Sequence, residues 1–228
     1  MVGPMTQTHE LGPMLRLTAL AAAATIACML AIGFATGVAQ EPMQRIAPVE
    51  DYVRFLSSRP GTFRLVVGLD NLFIAFYSAH FVLVYMWVVR HGAPRALAGL
   101  ALGALLATAA LDLVENMHYL VLSRRLQTSE LLAHAQVLES WLKFHVSYVA
   151  LFAFGMVFPR RTVLERAVAA TLMWVQLPLG VLIYVSEPSL ARPLVIARGC
   201  FFVVGLLANA IIFGQSSAAR TSATASAP

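Results

Sequence analysis

Six apolar runs constrain this chain more than any other feature. They cover about residues 14–38, 63–89, 96–120, 139–158, 163–186 and 193–214. Each approaches or exceeds the roughly 20 residues that a helix needs to cross a hydrocarbon core. A backbone in lipid must satisfy its own polar groups, and for runs of this length the α-helix does so. The expected fold is therefore all-α: a polytopic helical bundle forming one transmembrane domain over residues 1–214. Composition agrees, since 59% of the residues are hydrophobic and 12% charged, about half the charged share of a soluble domain.

The first run raises a processing question. Arg16 followed by "LTALAAAATIACMLAIGFATGVA" has the outline of a signal peptide cut after Ala39, but the apolar part is long for that role and favours a retained helix. Arginines set the orientation. "VVRHGAPRA" and "FPRRTVLER" carry Arg90, Arg95, Arg160, Arg161 and Arg166 with Glu165 as the only acid. That side is expected to be cytoplasmic, and an even number of spans puts both termini there, in a bacterial-type inner membrane. The segment 215–228, rich in Ser, Ala and Thr, reads as a disordered cytoplasmic tail. A net charge of +5 carried by scattered arginines at the ends of spans gives no nucleic-acid footprint. Membrane lipids are the expected surroundings, and a homo-oligomer is compatible with the chain. Cys28 and Cys200 lie in apolar runs without metal or disulfide spacing.

Outside the spans, Val49, Tyr52, Val53 and Leu56 repeat at i, i+3, i+4, i+7 after Pro48. This predicts a short amphipathic helix on the outer membrane interface, placed to act as a lid. Thr128 or Ser129 caps the helix of the fourth span. "GLALGALLA" and "GFATG" carry small residues that suit close helix contact, and Pro178 is a candidate helix break.

One stretch conflicts with its setting. "LDLVENMHYL", residues 111–120, ends the third run yet contains Asp112, Glu115, Asn116 and His118. Thr108, Asp112, Glu115, Asn116 and Tyr119 follow helical spacing and form one polar stripe that must face the bundle interior. Depth along the other spans, at about 1.5 Å per residue, brings Asp70 and Asn71, Lys143 and His145, and Arg198 to a similar level. Tyr77 shares the Asp70 face. The expectation is a polar chamber in the outer half of the bilayer above a tight apolar inner half, with His80 and Gln176 as exceptions at middle or inner depth.

Burial favours the neutral form of a carboxyl, and histidine titrates near neutrality, so this set suits acid–base chemistry. Asp112 and Glu115 are the acid/base candidates and His118 and His145 their proton partners. Lys143 and Arg198 are counter-ions or anion holders, while Asp70, Asn71, Asn116, Tyr77 and Tyr119 orient a ligand. Glu115-x-x-His118 has the spacing of di-iron bundles, but one copy is too few. Glu115, His118 and His145 remain weak candidates for a divalent metal, and paired histidines for haem; no cofactor is expected. A small or lipid-like ligand handled with proton exchange, by transport or catalysis, is the leading functional reading. The alternative is a membrane assembly subunit whose charged cluster only fixes helix packing.

Overall fold

The computed structural model describes residues 11–125 and 128–225, excepting the side chains of residues 184, 188, 189 and 216–225. It is all helical among those residues. The long helices are α1 (Leu11–Thr36), α3 (Pro60–Arg90), α4 (Arg95–Arg125), α5 (Glu130–Val157) and α8 (Pro188–Ala225), with a short α2 (Val49–Ser58) in the first loop. The fifth span is composite, built from α6 (Val163–Ala170), a π turn (Thr171–Val175) and α7 (Gln176–Val185). Six segments are long and apolar enough to cross a membrane, Leu11–Thr36, Pro60–Arg90, Arg95–Arg125, Glu130–Val157, Val163–Ile183 and Leu190–Gln215. The outward surface supports that reading: Leu17, Leu100, Leu142, Trp174 and Val204 are exposed, a pattern suited to lipid and unfavourable in water.

The helices close into a ring. Helix α1 packs on α3 and α8, α3 on α4, α4 on α5, α5 on the composite span, and that span on α8. Two seams depend on absent side chains. A Cβ on Gly155 would run into Met173 and Ala169, and one on Gly180 into the Tyr148 ring. Gly199 meets Leu30 at the α1–α8 seam in the same way. The glycine motifs picked out in the sequence serve otherwise. Gly99 and Gly103 of "GLALG" have open space where a Cβ would stand, so they make no close helix contact within the chain. Gly37 of "GFATG" adopts φ 72° and donates to the Gly33 carbonyl at 2.8 Å, ending α1.

Local signals account for the helix ends. Ser129 caps α5 by accepting from the Leu132 amide, and Thr162 with Glu165 forms a capping box on α6. Pro178 lacks an N–H and its ring crowds the carbonyl four residues earlier, that of Trp174. The chain relieves this just upstream by widening into the π turn, where the Gln176 amide reaches the Thr171 carbonyl. The span is rewound without being broken. Helix α8 continues past the predicted span to Ala225, through most of the segment expected to be disordered; residues 226–228 lie outside the described residues.

The loops "VVRHGAPRA" and "FPRRTVLER" meet at one end of the bundle, where His91, Gly92 and Ala93 share a small cleft with Arg160 and Arg161. At the opposite end stands α2, the predicted short amphipathic helix, with its apolar face turned to the bundle. Its Tyr52 and Leu56 are buried with Phe63 and Tyr119 in a compact cluster, so the apolar face is covered by protein and not presented to lipid. The Tyr52 hydroxyl donates to the Arg45 carbonyl and accepts from the Ala47 amide at 3.0 Å. Burial raises the pKa of this phenol.

Candidate functional site

The ring encloses a cavity of about 620 Å³, within the roughly 300–1,000 Å³ of small-molecule sites. Apolar side chains of α1 and α8 supply much of its wall, including Ile26, Leu30, Val195 and Phe202. It reaches Gln40 at the α2 end and Leu164 and Asn209 toward the arginine end. The inner half holds the larger apolar core, with Val84, Val88, Ala98, Phe154 and Phe213 fully buried, as expected from sequence, but the cavity runs down into it as far as Leu164 and Asn209. Small-residue spacing suggested tight contact there, but α4 turns its glycines outward and the ring stays open inside.

On the α3–α4–α5 side stands the polar cluster predicted from "LDLVENMHYL". Asp112 accepts from the Tyr77 hydroxyl at 2.7 Å and pairs with Lys143 Nζ at 2.8 Å. Lys143 also pairs with Glu115, which accepts in addition from Ser140, from the Tyr119 hydroxyl at 3.1 Å and from Gln44 at 3.5 Å. Asp70 accepts from Asn116 Nδ2 at 2.8 Å, and the same amide reaches Asn71 Oδ1 at 2.9 Å. Helical spacing places Thr108, Asp112, Glu115, Asn116 and Tyr119 on one face of α4, as predicted. Glu115 and Asn116 are fully buried behind the cavity wall, whereas Asp70, Tyr77, Asp112 and Lys143 line it.

The predicted histidines do not join this cluster. His118 pairs with Glu139 at 2.8 Å on a more exposed flank. His145 is turned outward with Nδ1 against the Trp141 carbonyl at 2.7 Å. Depth was an insufficient guide, because azimuth decides which groups meet. Lys143 and His145 are two residues apart, about 200° around the helix, and His118 lies about 60° round from Glu115. Neither histidine therefore faces the carboxylates as a proton partner. For the same reason Glu115, His118 and His145 do not converge on a metal position, and among the described residues no three His, Cys, Asp or Glu side chains are placed to hold a metal ion together. His80 is fully buried, but it sits against Thr18, at 3.3 Å, and the Phe81 and Phe213 rings.

Sequence reading missed the cover of the cluster. The segment between α1 and α2 folds over it: Gln40 donates to an Asp70 carboxylate oxygen and to Asn116 Oδ1, both at 3.2 Å, and Gln44 reaches Glu115. Arg45, paired with Glu41, donates to the Ile183 carbonyl at 2.8 Å and the Ser186 carbonyl at 3.3 Å. It thereby ties the loop to orphan carbonyls at the end of α7. This strap, and not α2, lies over the site. Polar residues in a loop carry little signal of their own, which is why Gln40 and Gln44 went unnoticed.

Arg198 takes a position of its own. Its guanidinium lies 4.3 Å from the Phe144 ring centroid, with Lys143 Nζ 4.6 Å from the same centroid, a cation–π arrangement. It has no carboxylate partner among the described residues.

The chain is thus a multi-pass α-helical membrane protein with an internal cavity walled on one side by ionisable groups. No protein-family model, curated protein or solved structure matches it.

Proposed function

We propose that the cavity binds a small or lipid-like ligand and that the Asp70–Asp112–Lys143 wall exchanges protons with it, in transport or catalysis. The observation that carries this reading is charge balance. Asp70, Asp112 and Glu115 share one buried cluster with a single ammonium, Lys143. In a low-dielectric interior such an excess of carboxylates is balanced by holding a proton or by admitting a cationic group. Asp112 is the best-placed acid/base group, since it lines the cavity and its partners, Tyr77 and Lys143, line it too. Asp70 is the second. Glu115, shut behind the wall with partners on both oxygens, serves to position Lys143.

The saturation of Glu115 favours the structural reading for that residue alone. A purely structural network does not account for two further carboxylates beside a cavity. Localisation follows the arginine-rich loops, which put the paired α3–α4 and α5–α6 turns and both termini in the cytoplasm of a bacterial inner membrane. The polar cluster, under its strap, then lies in the outer half.

Native mass spectrometry of detergent-purified protein tests the proposal. Wild type is expected to carry a lipid-sized adduct that Asp70→Asn/Asp112→Asn loses while its melting temperature stays within a few degrees. An adduct retained by the double variant while its melting temperature falls would leave the cluster with a structural role only.

A further inference from the structure

The opposite wall of the cavity is built differently. Tyr148 on α5, Gln176 on α7, and Arg198 and Asn209 on α8 all line it. The Tyr148 hydroxyl lies within reach of the Arg198 guanidinium, while Gln176 Oε1, Arg198 Nη1 and Asn209 Oδ1 are buried without a hydrogen-bond partner among the described residues. Tyr148, Gln176 and Asn209 are all more than nine-tenths buried. A buried polar atom left unpaired costs about 1–3 kcal/mol. Three of them, contributed by α7 and α8 to one cavity beside Tyr148 of α5, form a recognition surface awaiting a partner. Other unpaired atoms, such as those of Gln136 and His80, do not line the cavity.

Their arrangement describes that partner. On α8, Arg198, Phe202, Gly205 and Asn209 recur at i, i+4, i+7, i+11 and share one face. Arg198 and Asn209 are therefore separated by about 16 Å along the axis. Arg198 reaches the Tyr148 hydroxyl and shares the Phe144 ring with Lys143, so positive potential gathers at that level, with Arg198 Nη1 as an unpaired donor. The carboxylates across the cavity are engaged by Lys143, Tyr77, Gln40 and Asn116. Between Arg198 and Asn209 the wall is Phe202 and Gly205, and a Cβ on Gly205 would meet nothing within 4 Å. Apolar Ile26, Met29 and Leu30 of α1 also line this cavity.

We infer that the cavity takes a single-chain amphiphile with an anionic head, of the long-chain carboxylate class. Arg198 and Tyr148 hold the head, and the tail lies along Phe202 and Gly205. The unpaired oxygens of Gln176 and Asn209 are acceptors and do not hold the carboxylate, and Asn209 limits how far an apolar tail runs. This rests on the reading of the cavity as a ligand site and adds the sign of the ligand's charge and its place.

The test is binding of oleate against oleyl alcohol, which shares its chain and lacks its charge, to the purified full-length protein in a neutral detergent. Wild type is expected to bind oleate at least tenfold tighter. Arg198→Gln removes that preference, Arg198→Lys keeps most of it, and Gly205→Leu, which fills the tail channel, weakens both ligands. Equal binding of acid and alcohol to wild type, or an unchanged preference in Arg198→Gln, overturns the anionic head while leaving the cavity a ligand site. Binding of neither overturns both readings. Should Arg198→Gln fail to fold, the wild-type comparison decides alone.

Discussion

The two walls of the cavity treat polar groups in opposite ways. On the α3–α4–α5 wall each carboxylate has partners: Glu115 is held by Lys143, Ser140, Tyr119 and Gln44, Asp112 by Lys143 and Tyr77, Asp70 by Asn116 and Gln40. On the α7–α8 wall, Gln176 Oε1, Asn209 Oδ1 and Arg198 Nη1 have none among the described residues. A satisfied network fixes one geometry, because removing any member strands another in low dielectric. An unsatisfied surface gains nothing from the folded state and gains from a guest. On the proposed reading the first wall carries stability and protons, and the second carries recognition.

Lys143→Met attacks the first wall where it is most committed. It leaves Glu115 buried without a counter-charge, and the expected loss is about 3–5 kcal/mol, seen as failure to accumulate or a large fall in melting temperature. Adding Glu115→Gln should restore much of it, and a double-mutant cycle measures how much. Gly180→Leu is next: the new side chain collides with Tyr148 and forces α7 from α5, at about 1–3 kcal/mol in thermal unfolding. Tyr77→Phe removes one hydrogen bond to Asp112 and should cost about 1–1.5 kcal/mol. Asn209→Leu sharpens the contrast, since deleting an unpaired amide should leave the melting temperature unchanged or slightly raised. A loss of more than 1 kcal/mol there would show that the two walls are alike.

Much of this was legible in the sequence, for reasons that separate cleanly. The six spans follow from hydrophobic run length, and the α4 stripe follows from the 3.6-residue period, which sets the azimuth within one helix. Between helices the period gives no common reference. Lys143 and His145 share a depth yet face opposite ways, and His118 finds Glu139 in place of the cluster. Pro178 signalled a disturbance, but not that a π turn would absorb it one turn earlier. Gln176 and Asn209 were the least legible: single amides in apolar runs, whose importance lies in a cavity that only the closed ring creates.

The central claim is that the Asp70–Asp112 wall holds an exchangeable proton, and infrared spectroscopy of the purified protein tests it most directly. The account predicts a carbonyl band from a protonated carboxylic acid, weakened in Asp70→Asn and shifted when an amphiphile enters the cavity. A folded wild-type protein with no such band, and no change in its carboxyl region on adding the amphiphile, would contradict it.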